Sequence, residues 1–106
     1  MSSLSVVSTP IGNLEDISLR ALKVLASVSA ILCEDTRVTK KLLARHSIDT
    51  RTLSYHAHSK ISRVEAIIAM LREGKDLALV SDAGTPGISD PGAELVARIR
   101  ALLRRE

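Results

Sequence analysis

Hydrophobic and polar positions along the chain alternate between two rhythms. Residues 4–8, 30–33 and 77–80 are short apolar or β-branched runs. After each comes a longer stretch in which apolar residues return every three or four positions. Runs of that length suit strands, and that spacing suits one face of a helix. Ile17, Ala21, Val24, Leu25 and Val28 predict the first helix, with Asp16 placed to cap it. Glu34, Asp35, Thr36 and Arg37 open a second helix that runs to about Arg45, with Val38, Leu42 and Thr39 on its apolar side. Residues 51–55 suit a weaker, edge-like strand. Val64, Ile67, Ile68 and Leu71 mark a third helix, stopped by Gly74. Residues 77–80 are continuously apolar, as in a parallel strand covered on both faces. Pro91 suits the first turn of a last helix capped by Asp90, with Leu95, Ile99, Leu102 and Leu103 on its buried side. The alternation predicts an α/β fold: a mostly parallel sheet of about four strands flanked by helices, joined by right-handed crossovers. A chain that ends on a helix at Arg104, Arg105 and Glu106 reads as part of a larger protein.

Composition narrows this picture. The 106 residues suffice for one domain with one core. Tyr55 is the sole aromatic residue, so the core is aliphatic and a base-stacking platform is disfavoured. Fifteen basic and twelve acidic residues leave a net charge of +3, which permits an anionic partner without demanding one. The single cysteine, Cys33, excludes an internal disulfide and a multi-cysteine metal cluster, and its place in an apolar run makes it a small core residue. No apolar run reaches membrane-spanning length, and the first residues lack a signal-peptide pattern, so a cytoplasmic protein is expected.

The most informative stretch is residues 81–92, SDAGTPGISDPG, which holds three of the five glycines and two of the three prolines. It follows the apolar run at 77–80 and precedes the last helix. Open α/β sheets bind ligands at such loops beyond the carboxyl ends of their strands. It is neither a Walker A loop nor a G-x-G-x-x-G fingerprint. Its bland alternative is a connecting turn, for which twelve residues is long. Glu34 and Asp35 end the second run, where carboxylates can act as a base or hold a hydroxyl; they equally suit a helix N-terminus. Arg37, Lys41 and Arg45 recur four residues apart, with Lys40 beside them, a stripe suited to phosphate contacts or simply to solvent. His56 and His58 could share a metal only with a third ligand, which the sequence does not supply, so no metal is expected. Thr9, Pro10, Ile11, Gly12 and Asn13 form another loop after a strand, and in a parallel sheet all these clusters share one edge.

Four blocks carry a resemblance: TPIGNLEDISLRAL (9–22), CEDTRVTKKLL (33–43), LSYHAH (53–58) and LVSDAGTPGISDPG (79–92). They resemble the signature blocks of the ribosomal RNA small subunit methyltransferase I family, 16S rRNA (cytidine-2′-O)-methyltransferases of the tetrapyrrole methylase superfamily. The resemblance covers that family's amino-terminal domain, so residues 1–106 are expected to form the first half of a two-domain fold whose second domain completes the cofactor cleft. It implies S-adenosylmethionine as cofactor, contacted by Val80, Ser81, Asp82, Ala83, Gly84, Thr85 and Ile88, with Pro10 and Ile11 nearby. It implies a carboxylate, Glu34 or Asp35, near the methyl acceptor. Arg37, Lys40, Lys41 and His56 would then face RNA. The implied partner is 16S rRNA in the small ribosomal subunit, with a homodimer at full length and no membrane. One departure is visible: His46-Ser47 stands where the family resemblance leads to an aromatic-Gly pair. Two other functions compete. One is carbon methylation of a corrinoid or other tetrapyrrole, whose enzymes usually carry a shorter Gly-Asp-Pro loop. The other is a non-catalytic RNA- or protein-binding module.

Overall fold

In a computed structural model, the described residues are 2–9, 14–56, 58–82 and 91–104. They form β1 (Leu4–Thr9), a 3₁₀ turn (Leu14–Asp16), α1 (Leu19–Ser27), β2 (Ala30–Cys33), α2 (Thr36–Arg45), β3 (Thr52–Ser54), α3 (Ile61–Arg72), β4 (Leu77–Asp82) and α4 (Pro91–Leu103). The four strands make one sheet in the order β1-β4-β2-β3, and every pairing is parallel. The α/β reading holds, and β3 is an edge strand as its weak apolar pattern suggested. The expectations for Pro10, Ile11, Ala83, Gly84, Thr85, Ile88 and the Asp90 cap lie outside the described residues.

Two apolar layers sandwich the sheet. On one face Leu25, Val28, Leu42 and Leu43 pack with Val7, Ile31 and Ala78. On the other, Val64, Ile67, Ile68 and Leu95 pack with Ala30, Leu32, Leu77 and Leu79. Strand side chains alternate between faces, so the two central strands are apolar where both faces are covered: β2 is buried at all four positions and β4 over 77–79. Helices α1 and α2 therefore cover one face and α3 and α4 the other. This division follows from right-handed crossovers, since β1→β2 and β2→β3 advance across the sheet whereas β3→β4 returns.

Three local expectations need correction. Asp16 does not cap α1, because residues 14–16 wind into their own 3₁₀ turn. Ser18 takes the role instead: its backbone is extended and its hydroxyl accepts the amide of Ala21 at 3.1 Å. Val38 is not on the buried side of α2. That side is centred on Thr39, Leu42 and Leu43, which turns Val38 outward to 53% exposure. Burial along α4 fades after Leu95, so Ile99 and Leu102 are half-buried and Leu103 is 42% exposed.

Helices α2 and α3 end in the same hydrogen-bonded motif. After α3, Lys75 N–H donates to Met70 O and Gly74 N–H to Leu71 O, with Gly74 at φ +85. After α2, Ile48 N–H donates to Leu43 O and Ser47 N–H to Ala44 O, with Ser47 at φ 56. Both are Schellman caps, which call for a left-handed residue just past the helix. The Ser47 departure noted in the sequence thus falls where a glycine is favoured.

Candidate functional site

All four strands run parallel, so their carboxyl ends share one edge of the sheet. Chain leaving β1 and β2 goes to one face, and chain leaving β3 and β4 goes to the other. Along β1-β4-β2-β3 the direction of exit therefore reverses at every neighbour. Each reversal opens a crevice between diverging loops, the usual ligand position in open α/β sheets. The register widens one crevice. Strand β4 pairs with β1 along its whole length, to Thr9 opposite Asp82. Its pairing with β2 stops at Leu32 opposite Leu79. Val80, Ser81 and Asp82 thus extend past that ladder; backbone groups alternate sides along a strand, so those of Val80 and Asp82 face the β2 side while Ser81 is turned to β1. Val80 and Ser81 are half-buried. Thr9 is buried, and its hydroxyl donates to the Ser81 carbonyl at 3.4 Å, tying the ends of β1 and β4 together.

Across the crevice stand Glu34 and Asp35. Asp35 caps α2: its Oδ1 accepts the Arg37 amide at 3.0 Å and lies 3.5 Å from Arg37 Nε. The Arg37 backbone N–H is the main reason the Asp35 carboxyl sits below the usual carboxylate range; Arg37 charge adds to it. Glu34 is exposed and makes no hydrogen bond or ion pair among the described residues. The sequence left these two carboxylates interchangeable, and the geometry separates them: one holds a helix, the other is uncommitted. Cys33, just before them, is buried with its Sγ donating to Leu53 O at 3.9 Å, and desolvation pushes its thiol up, the Thr39 side chain offsetting this only in part. That is the state of a core cysteine, not of a nucleophile.

The basic stripe of α2 divides in the same way. Arg45 pairs with Glu15, whose carboxyl is lowered chiefly by that hydrogen bond, and Arg37 is shared with Asp35. Lys40 and Lys41 are exposed and make no ion pair among the described residues.

One residue went unnoticed in the sequence. Arg98, on α4, stacks its guanidinium over the Tyr55 ring at 5.7 Å from the centroid. It also donates to the carbonyl of Ser59, to that of His56 at 3.5 Å and to the Tyr55 hydroxyl at 3.4 Å. It fastens the loop after β3 to the opposite helix. No local pattern announces this, since the partners lie about forty positions earlier in the chain and two are backbone carbonyls.

The chain matches the family model described as Tetrapyrrole (Corrin/Porphyrin) Methylases over residues 3–104. It is 52% identical over 101 residues to the ribosomal RNA small subunit methyltransferase I of Rickettsia prowazekii (strain Madrid E), covering 95% of this chain and 36% of that protein. It is 57% identical over 96 residues to the Bacillus subtilis (strain 168) protein of the same name, covering 91% and 33%. The chain thus spans about one third of the length of the curated relatives it matches. Among solved structures it is similar to a uroporphyrin-III-C-methyltransferase from Thermus thermophilus, with a TM-score of 0.66 and 23% identity, covering 93% of this chain and 43% of that one. A cobalt precorrin-4 methyltransferase of cobalamin biosynthesis also superposes at 0.66 with 22% identity, covering 97% and 41%. At these identities the structural likeness speaks for the fold.

Proposed function

The chain belongs to the tetrapyrrole methylase family, and from that premise we propose that it forms the amino-terminal domain of a ribosomal RNA methyltransferase using S-adenosylmethionine. We take the acceptor to be a cytidine ribose 2′-hydroxyl of 16S rRNA. The observation that carries this reading is the identity of 52–57%, spread over nine-tenths of the chain, to proteins named ribosomal RNA small subunit methyltransferase I.

The described part of the crevice suits the cofactor. Main chain at Val80 and Asp82, beyond the β2 ladder, offers amide donors and carbonyl acceptors at a reversal of exit direction. Pro10, Ile11, Ala83, Gly84, Thr85 and Ile88 would complete the contacts, with a second domain closing over them. Bound there, S-adenosylmethionine would supply an activated sulfonium methyl. The chain's own work is then alignment and proton removal. Thr9 holds the ends of β1 and β4 in register, which keeps the crevice wall fixed. A ribose hydroxyl is a weak nucleophile and gains from a nearby base. Glu34 is the better candidate, because Asp35 is engaged by Arg37 and binds a proton less readily. Lys40 and Lys41, with Arg37 and His56, would face the RNA backbone from the adjoining rim.

The decisive experiment incubates full-length protein with radiolabelled S-adenosylmethionine and either small-subunit particles or a free porphyrinoid. Label in the 16S RNA, lost when the target cytidine is supplied as its 2′-deoxy form in a reconstituted particle, is the expected result. Label in the porphyrinoid alone would reverse the assignment to tetrapyrrole chemistry. Failure to bind the cofactor in calorimetry would leave a non-catalytic module.

A further inference from the structure

A second cavity lies one strand outward from that crevice. It measures about 400 Å³ and is bounded by the end of β3, the loop that follows and the first turns of α3. That volume falls within the range of small-ligand sites. Its walls carry His56, His58, Lys60 and Arg63, together with the hydroxyls of Ser54 and Ser62. No carboxylate lines it among the described residues. Two fixed positive charges, two imidazoles and several hydroxyl donors, with no anion to neutralise them, form the donor set for a phosphate group.

The described residues of this loop are tied to one another and to α4. Its turn closes on itself through His56 N–H to Ser59 Oγ at 2.9 Å and Ser59 N–H to His56 O at 2.9 Å. Arg98 anchors both ends from α4. His58 N–H donates to His56 Nδ1 at 3.1 Å. With Nδ1 accepting, the ring proton of a neutral His56 must sit on Nε2, which makes that nitrogen a donor. A pre-formed pocket spares the ordering cost of binding.

We propose that this pocket seats a backbone phosphate of the RNA substrate, held by Lys60, Arg63 and His56. The inference rests on the RNA reading above and adds a subsite to it. Position favours RNA over a free anion. Cys33 pairs with Ser54, so the pocket opens on the same sheet edge as Glu34. Adjacent strands are spaced by about 4.8 Å, so β3 lies two spacings, roughly 10 Å, to the side of β4. Lys40 and Lys41 lie on the neighbouring helix leaving the same edge. A strand threading the crevice would therefore meet basic side chains on both α2 and α3 as it leaves, and phosphate contacts of this kind fix register.

The test uses full-length protein and a single-stranded oligocytidylate RNA, with anisotropy measured across a salt series. Lys60→Ala/Arg63→Ala should raise Kd at least tenfold at moderate salt. The salt slope should fall by about 1.4, two contacts at ~0.7 each for single strands. S-adenosylmethionine affinity should be unchanged, which also reports that the fold survives. Because Arg63 is half-buried, Lys60→Glu with Ser62→Asp, at two exposed positions, provides a second variant with the same expected direction. An unchanged Kd and slope in both variants overturns the proposal. So does inorganic phosphate that binds the pocket in a titration while RNA affinity stays constant, since the site would then serve a free anion. The two readings fail separately: a protein that never transfers methyl can still show the RNA effect, and an active enzyme can lack it.

Discussion

Arg98 on α4 and Tyr55 just past β3 are joined by a cation–π contact of 5.7 Å, and the same guanidinium donates to the carbonyls of His56 and Ser59. One side chain thus replaces the strand pairing that an edge loop lacks. Arg98→Ala should lower stability by about 1–2 kcal/mol, the sum expected for a partly exposed cation–π contact and a hydrogen bond or two. Amide exchange at His58 and Ser59 should accelerate more than exchange in β4. Arg98→Lys should not restore it, because an ammonium cannot hold two carbonyls and a ring in one plane. Urea unfolding and hydrogen exchange read both effects; a lysine variant indistinguishable from wild type would remove the argument.

Ser47 and Gly74 offer a controlled pair, since each is the left-handed residue of the same helix-ending motif. A left-handed conformation costs a non-glycine residue roughly 1–2 kcal/mol. Ser47→Gly should therefore stabilise the protein, by about 0.5–1 kcal/mol once the greater freedom of glycine in the unfolded chain is counted. Gly74→Ala should destabilise it by about 1 kcal/mol, although a Cβ there meets nothing within 4 Å, so the cost is conformational and not steric. Opposite signs in thermal denaturation are the expected result. Equal signs would mean that packing, not backbone conformation, governs these turns.

What the sequence reveals follows physical lines. The central strands are legible because burial on both faces forces an unbroken apolar run, as at 30–33 and 77–80. Gly74 is legible as a stop because few other residues accept its backbone. Asp16 misleads because Ser18 can cap equally well, and only the separate 3₁₀ turn decides between them. Val38 misleads because a period of 3.6 fixes the width of an apolar arc but not its centre. The carboxylates and the histidine pair are visible as chemistry, whereas their commitments are not. Whether Asp35 serves a helix or a substrate depends on where the Arg37 amide points. Lys60 and Arg63 join His56 around one cavity only after the loop turns back toward α3, which no spacing encodes.

Asp35 gives a pH signature. Its folded-state carboxyl is lowered, mainly by the Arg37 amide, so it contributes stability above the unfolded-state value. That contribution should be lost as pH falls through the lowered folded-state value. Asp35→Asn keeps a capping oxygen and removes the titration. Its stability should match wild type most closely in acid, fall behind as pH rises from the lowered folded-state value to the ordinary aspartate value, and trail by a constant gap above that. Asp35→Ala should be less stable than Asp35→Asn throughout, because the cap itself is gone. Equilibrium unfolding from pH 2 to 7 distinguishes these curves, and parallel profiles for wild type and Asp35→Asn would contradict the lowered carboxyl.

The same asymmetry makes Glu34 the proposed base. Glu34 and Asp35 are neighbours at the end of β2, but Asp35 is bound to the start of α2 and Glu34 is exposed and uncommitted. A carboxylate that already accepts an amide and faces a guanidinium is a weaker proton acceptor, and moving it would uncap the helix. In the full-length enzyme, Glu34→Gln should lower kcat by about a hundredfold or more, the usual contribution of a positioned base, with cofactor affinity intact. Asp35→Asn should cost turnover less, since it preserves both the cap and the placement of Glu34. Single-turnover methyl transfer with saturating cofactor isolates the chemical step. A large loss in Asp35→Asn beside a fully active Glu34→Gln would exchange the roles, and would mean that the Asp35–Arg37 contact opens when RNA binds.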